Sequence, residues 1–192
     1  MSLFDNYQND KTLSISKQVD LYYTLLNQIL DAKKKKDFHQ MLSYCDLSFP
    51  LIPALIKKTK VECDGKFLIK SIPAIELGLI FWAIYEDKSK IQKIQELVNK
   101  FPDLEPWIQN VDDAFNSFEM TGQILQLLEK NSILKQTDIK KMIPEADGKK
   151  IANLVYYLSL LGRIERDKAG NSYNLKLKSK VSFLKILTKI LK

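Results

Sequence analysis

Basic and amide side chains recur at helical spacing in residues 149–157. The aliphatic residues of this segment fall on one side of a helix, which leaves a polar side for solvent. The members of the polar side are Lys149, Lys150, Asn153 and Tyr157. Lysine binds phosphates and guanine edges, and asparagine can form two hydrogen bonds with adenine. The combination predicts a surface that contacts double-stranded DNA, although surface helices also carry lysine and asparagine without any ligand.

Three further basic residues follow in a short segment of alternating polarity, namely Arg163, Arg166 and Lys168. They could hold the flanking DNA backbone or enter the minor groove. Four acidic residues lie close to them in sequence, namely Glu145, Asp147, Glu165 and Asp167. Acidic side chains lower the local positive potential, so they weigh against DNA contact at this surface.

Positive charge is concentrated in the C-terminal part of the chain. Residues 1–118 hold 15 basic and 16 acidic side chains, whereas residues 119–192 hold 15 basic and 7 acidic ones. This asymmetry suits a polyanionic partner, because release of counterions from phosphates dominates the affinity of most nucleic-acid binders. Residues 176–192 contain six lysines and no acid, so this last segment carries most of the excess.

Apolar stripes at helical spacing predict three short helices in residues 121–161. The stripes are Ile124, Leu127 and Leu128; Ile139, Met142 and Ile143; and Ile151, Leu154, Val155, Leu158 and Leu161. Pro144 ends the second helix and Asp147 suits the N-cap of the third, so these two helices form a helix-turn-helix. Gly162 ends the third helix, and the alternating residues 163–166 and 172–177 then predict a β-hairpin.

A helix-turn-helix followed directly by a hairpin, or wing, resembles the winged helix-turn-helix superfamily. The most characteristic phrase is Leu161-Gly162-Arg163-Ile164-Glu165-Arg166, continued by Gly170 and by Tyr173 to Leu175. The resemblance covers residues 119–177. It implies a DNA-binding fold in which the N-terminal end of the third helix touches the major groove.

Paired amphipathic helices are predicted throughout residues 17–118. From residue 71 onward the pattern resembles the tetratricopeptide repeat, through Leu77-Gly78, Phe81, Asp87, Ile94, Leu97 and Pro102. A weaker copy covers residues 17–50. Gly78 is expected to let two helices approach closely. Helical hairpins of this kind imply a domain that binds a protein or peptide or mediates assembly.

Residues with catalytic or metal-binding potential are few. No glycine-rich phosphate loop and no activated nucleophile is recognisable in the sequence. His39, Cys45 and Cys63 lack metal-ligand spacing, and the two cysteines are typical of reduced intracellular thiols. Glu76 lies on a mostly apolar helix and needs a partner, for which a lysine is expected. We therefore expect no catalysis, no metal and no cofactor.

Apolar residues alternate with lysines in residues 178–192, which predicts an amphipathic C-terminal helix. Its apolar face consists of Phe183, Leu184, Leu187, Ile190 and Leu191. This face could dock onto the protein's own core, pair with a second subunit to form a homodimer, or lie on an anionic membrane or the DNA backbone. Cover by protein is favoured, because exposing so large an apolar surface is unfavourable.

These patterns together predict a mainly α protein. A polar arm over residues 1–16 precedes a helical-hairpin domain over residues 17–118 and a winged-helix domain over residues 119–177. We expect a transcription-regulator-like, DNA-binding protein. The alternative is an adaptor laid out like PCI-type scaffold subunits, whose winged helix pairs with proteins. The sequence shows neither a secretion signal nor an apolar run of about 18 residues, so we expect a cytoplasmic protein with no membrane span.

Overall fold

A computed structural model describes residues 13–144 and 147–178 of the chain. These residues are mainly helical and include a small antiparallel sheet of three strands. They divide into two compact units. The first unit runs to residue 82 and resumes over Lys88–Ala114, and the second holds Ala83–Asp87 and the later residues.

The first unit is built mainly from helices. Its elements are α1 (Ile15–Lys35), α2 (Phe38–Ser48), α3 (Ile52–Glu62), α4 (Pro73–Tyr85, as far as Trp82) and α5 (Lys88–Lys100), with 3₁₀ turns at Phe49–Leu51 and Pro102–Trp107. Residues 63–72 link α3 to α4. The Ser14 hydroxyl caps α1 by accepting a bond from the Lys17 amide, and the Asp37 carboxylate caps α2 by accepting one from the Gln40 amide. Lys36 takes a left-handed conformation with φ of 60° between them. The chain therefore reverses within two residues, and α1 packs against α2.

The core of the first unit contains the apolar faces that the sequence predicts. Val19, Tyr22, Leu25 and Ile29 are buried along α1. Helix α4 is buried on most sides, as its nearly continuous apolar sequence indicates, although Ile80 stays exposed. An aromatic contact joins α4 to α2, because the Phe81 ring stacks on the Phe38 ring with centroids 4.6 Å apart.

Gly78 has a different role from the one the sequence predicts. An added Cβ would lie 2.2 Å from the Trp82 ring, which belongs to the next turn of the same helix. The Trp82 ring in turn lies against Phe49, with centroids 5.2 Å apart. The glycine therefore makes room for a tryptophan folded along α4, and it is this ring that approaches the Gly78 backbone.

Glu76 finds partners other than the predicted lysine. Its Oε1 accepts bonds from the Ile72 amide and the Trp107 Nε1–H, both at 3.1 Å, and its Oε2 accepts one from the Ser71 hydroxyl at 2.9 Å. Glu76 lies in the first turn of α4, where a carboxylate satisfies an amide that the helix leaves unpaired. The same carboxylate holds the 3₁₀ turn that contains Trp107.

The second unit contains the end of a long helix, two short helices and the sheet. Its elements are α6 (Ile108–Lys130, from Phe115 onward), β1 (Leu134–Lys135), α7 (Gln136–Met142), α8 (Gly148–Leu160), β2 (Ile164–Ala169) and β3 (Ser172–Leu177). The sequence predicted that the helical-hairpin domain ends at residue 118 and that a separate short helix follows from residue 121, but α6 is continuous through Gly122. A single glycine weakens a helix by about 1 kcal/mol without ending it.

The sheet has the strand order β1-β3-β2, and all its pairings are antiparallel. The predicted hairpin is present, with Arg166 opposite Leu175 and Gly170 in the turn at φ of 61°. Strand β1 was not predicted, because two residues are too few to show alternation. It pairs Leu134 with Leu175, so β3 is bonded on both sides and the hairpin is fixed beside the start of α7.

The core of the second unit joins its helices to the hairpin. Its members are apolar residues from the end of α4, from α6, α7 and α8, from the residue after α7 and from both hairpin strands: Ile84, Ile124, Leu125, Leu128, Ile139, Ile143, Ile151, Leu154, Val155, Leu158, Ile164 and Leu175. Leu127 and Leu161 pack against this cluster while partly exposed. Met142, predicted to belong to the stripe of α7, is instead 51% exposed.

Replacement of Glu76 tests the anchor of α4. Glu76→Ala removes the acceptor of three bonds and leaves the Trp107 N–H unpaired, so the free energy of unfolding should fall by about 1–3 kcal/mol. Urea unfolding followed by tryptophan fluorescence measures this change. Glu105→Ala, at an exposed carboxylate, is the matched control and should have little effect. Equal losses in the two variants would contradict the proposed anchor.

The two free cysteines should differ in reactivity. Cys45 is buried and Cys63 is half-buried, and burial raises the pKa of the Cys45 thiol from 9.0 to about 12, with nearby Asp46 adding to the effect. Because the thiolate is the reactive form, iodoacetamide at pH 8 should modify Cys63 and spare Cys45 in the native protein. Mass spectrometry of tryptic peptides reads the result. Equal labelling would contradict the burial of Cys45.

The same shift predicts a pH dependence of stability. Above pH 9 the unfolded thiol loses its proton while the folded one keeps it, so the Cys45 contribution to the unfolding free energy falls until about pH 12. The slope is at most about 1.4 kcal/mol per pH unit. Urea unfolding across this range should show a shallower decline for Cys45→Ala than for the natural protein. Identical declines would exclude this contribution.

Candidate nucleic-acid interface

Helix α8 presents a polar edge whose position is set by its buried stripe. The Asp147 carboxylate caps the helix by accepting a bond from the Lys149 amide at 3.0 Å. Burial of the opposite side leaves Lys149 and Asn153 exposed one turn apart near the N-terminal end. These two residues have the exposure that the sequence predicts for a DNA-contacting surface.

Tyr157 and Lys150 lie at the margin of the core, apart from this edge. Tyr157 is partly buried against the apolar cluster, and the tyrosine that points to solvent is Tyr156, which is 44% exposed. Lys150 is half-buried and lines a cavity of about 350 Å³ together with Glu119 and Asp147. Lys150 and Tyr157 are each three or four positions from a buried residue of α8, so the helical period places their side chains beside the buried face.

Arg163 is engaged within its own unit. Its Nη1 donates to the Ile84 carbonyl at 2.8 Å, and its Nη2 donates to the Glu86 carboxylate at 2.6 Å. The guanidinium thus ties the start of the hairpin to the last turn of α4 and the residue after it. These two bonds occupy N–H groups that the sequence predicts to hold the DNA backbone.

Arg166 is held by aromatic rings. Its guanidinium carbon lies 3.6 Å from the centre of the Tyr173 ring and 5.9 Å from that of Tyr156, a cation–π arrangement. Arg166 pairs with buried Leu175, so it lies on the inner face of the hairpin, and its side chain is half-buried. This setting stabilises the hairpin on α8 and reduces the surface that Arg166 can offer to a phosphate.

The acidic residues of the hairpin lie away from Arg166 and Lys168. Glu165 stands opposite Lys176, and Asp167 stands opposite Asn174. Since side chains alternate along a strand, both acids occupy the face opposite to that of Arg166 and exposed Lys168. The hairpin therefore carries its two acids and Lys176 on one face and Arg166 and Lys168 on the other. Glu145 is outside the described residues.

A corner forms where the hairpin turn meets the start of α8. Asn171 of the turn and Ser172 of β3 line a cavity of about 160 Å³ with Thr137 and Lys140 of α7 and Gly148 of α8. The Lys140 side chain crosses Gly148 so closely that an added Cβ would lie 2.5 Å from its Cε. An added Cβ would meet only the flexible end of the exposed Lys140 side chain, which could move aside.

Three lysines lie at or beside this corner, and the Asp147 carboxylate that caps α8 offsets part of their charge. Exposed Lys140 lies at the N-terminal end of α8, where the helix dipole is also positive. Lys149 follows in the first turn, and Lys168 pairs with Tyr173, which lines the same cavity. Lys140 was not among the predicted site residues. The pairing of a lysine with a glycine eight positions later was the available signal, but only the fold shows that they meet.

Metal-binding clusters and membrane-spanning helices are absent from the part of the chain that the structure describes. Among those residues no group of three histidine, cysteine, aspartate or glutamate side chains could hold a metal ion, and no helix has the length and apolar character to cross a membrane. Phe183, Leu184, Leu187, Ile190 and Leu191, predicted to form the apolar face of a C-terminal helix, lie outside the described residues.

Comparison with protein-family models, with curated proteins and with solved structures finds no match to this chain.

Arg163 provides a test of the second unit. Arg163→Ala leaves the Ile84 carbonyl and the Glu86 carboxylate without their donor, so the free energy of unfolding should fall by about 1–3 kcal/mol. Thermal unfolding followed by circular dichroism measures the loss. Lys141→Ala removes an exposed contact with Asp138 at 3.5 Å and should change little. An Arg163 variant as stable as the Lys141 variant would contradict the structural role.

Proposed function

We propose that the second unit is a winged helix-turn-helix that binds double-stranded DNA, in a protein of the transcription-regulator type. The observation that carries the proposal is the exposed pair Lys149 and Asn153 at the start of α8, beside the hairpin turn. Helix α8 is the second helix of a helix-turn-helix, and helices in that position place their first residues against base edges in the major groove. The hairpin that follows α8 directly supports the same assignment.

The residues divide by the part of DNA that each would contact. Asn153 can bond an adenine edge, and Lys149 can bond a guanine edge or a phosphate. Lys140 at the positive end of α8 would hold a backbone phosphate beside the groove. Lys168, on the hairpin face that lacks acids, would meet the flanking backbone. The interface is thus smaller than the sequence predicts, since Arg163, Arg166, Lys150 and Tyr157 have other surroundings.

The first unit would then supply protein contacts. Its paired helices α1 and α2 are consistent with tetratricopeptide-like hairpins, which bind peptides or mediate assembly. In such an arrangement the first unit receives a partner or a second copy, while the second unit contacts DNA. Four consecutive exposed lysines of the first unit, at residues 33–36, lie at the C-terminal end of α1, where the helix dipole favours cations.

One observation favours the alternative of a protein-binding adaptor. Tyr156 and Leu160 are 44% and 37% exposed on the same edge of α8 as Lys149 and Asn153. Aromatic and aliphatic side chains are typical of protein interfaces, and two of the predicted basic contacts are already engaged. A PCI-like use of the winged helix would place a partner protein over this edge.

Titration of a labelled random-sequence duplex at about 50 and 200 mM salt discriminates the two functions. Fluorescence anisotropy should show affinity that falls steeply with salt. Lys149→Ala should weaken binding and reduce the slope of log K against log salt by about 1, because one phosphate contact is lost. Lys93→Ala removes the same charge from an exposed position of the first unit and should leave both quantities unchanged.

Two outcomes would overturn the proposal. One is the absence of duplex binding at the lower salt concentration. The other is an equal response of the Lys149 and Lys93 variants, which would attribute binding to diffuse net charge. Leu160→Ser should leave DNA affinity intact if the polar start of α8 makes the contact.

A further inference from the structure

A groove of about 740 Å³ opens on the second unit, away from the corner at the start of α8. Its apolar walls include Tyr85, Leu125 and Leu177, and its rim includes Glu129 and Lys178. The volume lies within the range of about 300–1,000 Å³ typical of ligand sites in proteins. The groove is therefore large enough for several side chains.

Gly122 lines this groove without a side chain that would fill it. It lies inside α6, where glycine lowers helix stability by about 1 kcal/mol relative to alanine. An added Cβ would find only the Glu86 Oε1 at 3.7 Å, which is an ordinary contact. Local packing thus does not require glycine at this position, and the space above it is open to an occupant.

The chain itself enters the groove where the described residues end. Leu177 and Lys178 line it, and the Lys178 amide donates to the Arg163 carbonyl at 3.1 Å. Arg163 is also a lining residue, held by Ile84 and Glu86. Residue 179 therefore follows directly from a position fixed at the groove.

The composition of residues 179–192 suits this groove. Their pattern predicts an amphipathic helix, which at 1.5 Å per residue would be about 21 Å long. Phe183, Leu184 and Leu187 supply its apolar side, and the segment carries four lysines and no acid. Glu129 is exposed on the groove rim, where it can meet one of those lysines.

We propose that residues 179–192 bind in this groove of their own unit, with Phe183, Leu184 and Leu187 against Tyr85 and Leu125. Attachment through Lys178 favours the protein's own segment over a second copy, because a short link gives an effective concentration on the order of millimolar. The proposal does not depend on DNA binding.

Hydrogen–deuterium exchange of the full chain, read by mass spectrometry, tests this docking. Amides of residues 183–191 should exchange at least tenfold more slowly than in an unstructured peptide. Gly122→Trp fills the groove with a side chain and should abolish that protection. Gln123→Trp is the matched control, since exposed Gln123 lines a different cavity, and it should keep the protection.

A second variant tests the docking without a substitution in α6. The double substitution Leu184→Asp and Leu187→Asp lies outside the described fold. It should also abolish the protection of residues 183–191, while hydrogen exchange in α8 stays unchanged. Light scattering at two protein concentrations should report a monomer. Three results would overturn the proposal: no protection in the natural chain, protection that survives Gly122→Trp, or protection that disappears on dilution together with a dimer.

Discussion

Burial of the aliphatic stripe on α8 is the constraint on which the rest of the second unit depends. Ile151, Leu154, Val155 and Leu158 are buried together with Ile139 of α7 and Leu175 of the hairpin. Rotating α8 about its axis would expose several of these side chains, at about 1.5–3 kcal/mol for each large one. The helix is therefore held with Lys149 and Asn153 outward, and the hairpin cannot leave without opening the same core. The chemistry available at the surface follows from what the core requires.

The basic side chains of this unit occur in two settings: the arginines make contacts that hold the hairpin, and several lysines are exposed. The net charge does not distinguish the two settings. Arg163 bonds a carbonyl and a carboxylate, and Arg166 lies against two tyrosine rings. Arginine suits both settings because its planar group bonds and stacks at once. The exposed cations at the start of α8 are lysines, namely Lys140, Lys149 and Lys168. The residues best able to read guanine are thus used to hold the hairpin, which makes the proposed interface a small one.

Local sequence patterns predicted much of this architecture, but they did not predict side-chain contacts between residues that are distant in sequence. The stripes of α1 and α8, the cap at Asp147 and the turn at Gly170 are all signalled by neighbouring residues. The partner of Arg163 is Glu86, 77 positions away, and the partner of Glu76 is Trp107, 31 positions away. Nothing local specifies either pair. The sequence predicted Tyr157 on the exposed edge of α8, where the structure has Tyr156. This error is smaller, because successive residues of a helix differ in direction by about 100°.

A titration of ¹⁵N-labelled protein with duplex DNA, followed by NMR, tests the central claim most directly. The account predicts that amide signals at the start of α8, from Lys149 to Asn153, and in the hairpin turn at Asn171 shift first and most. Signals from α1 and α2 should stay in place. Shifts confined to the first unit, or a spectrum unchanged by DNA, would contradict the account.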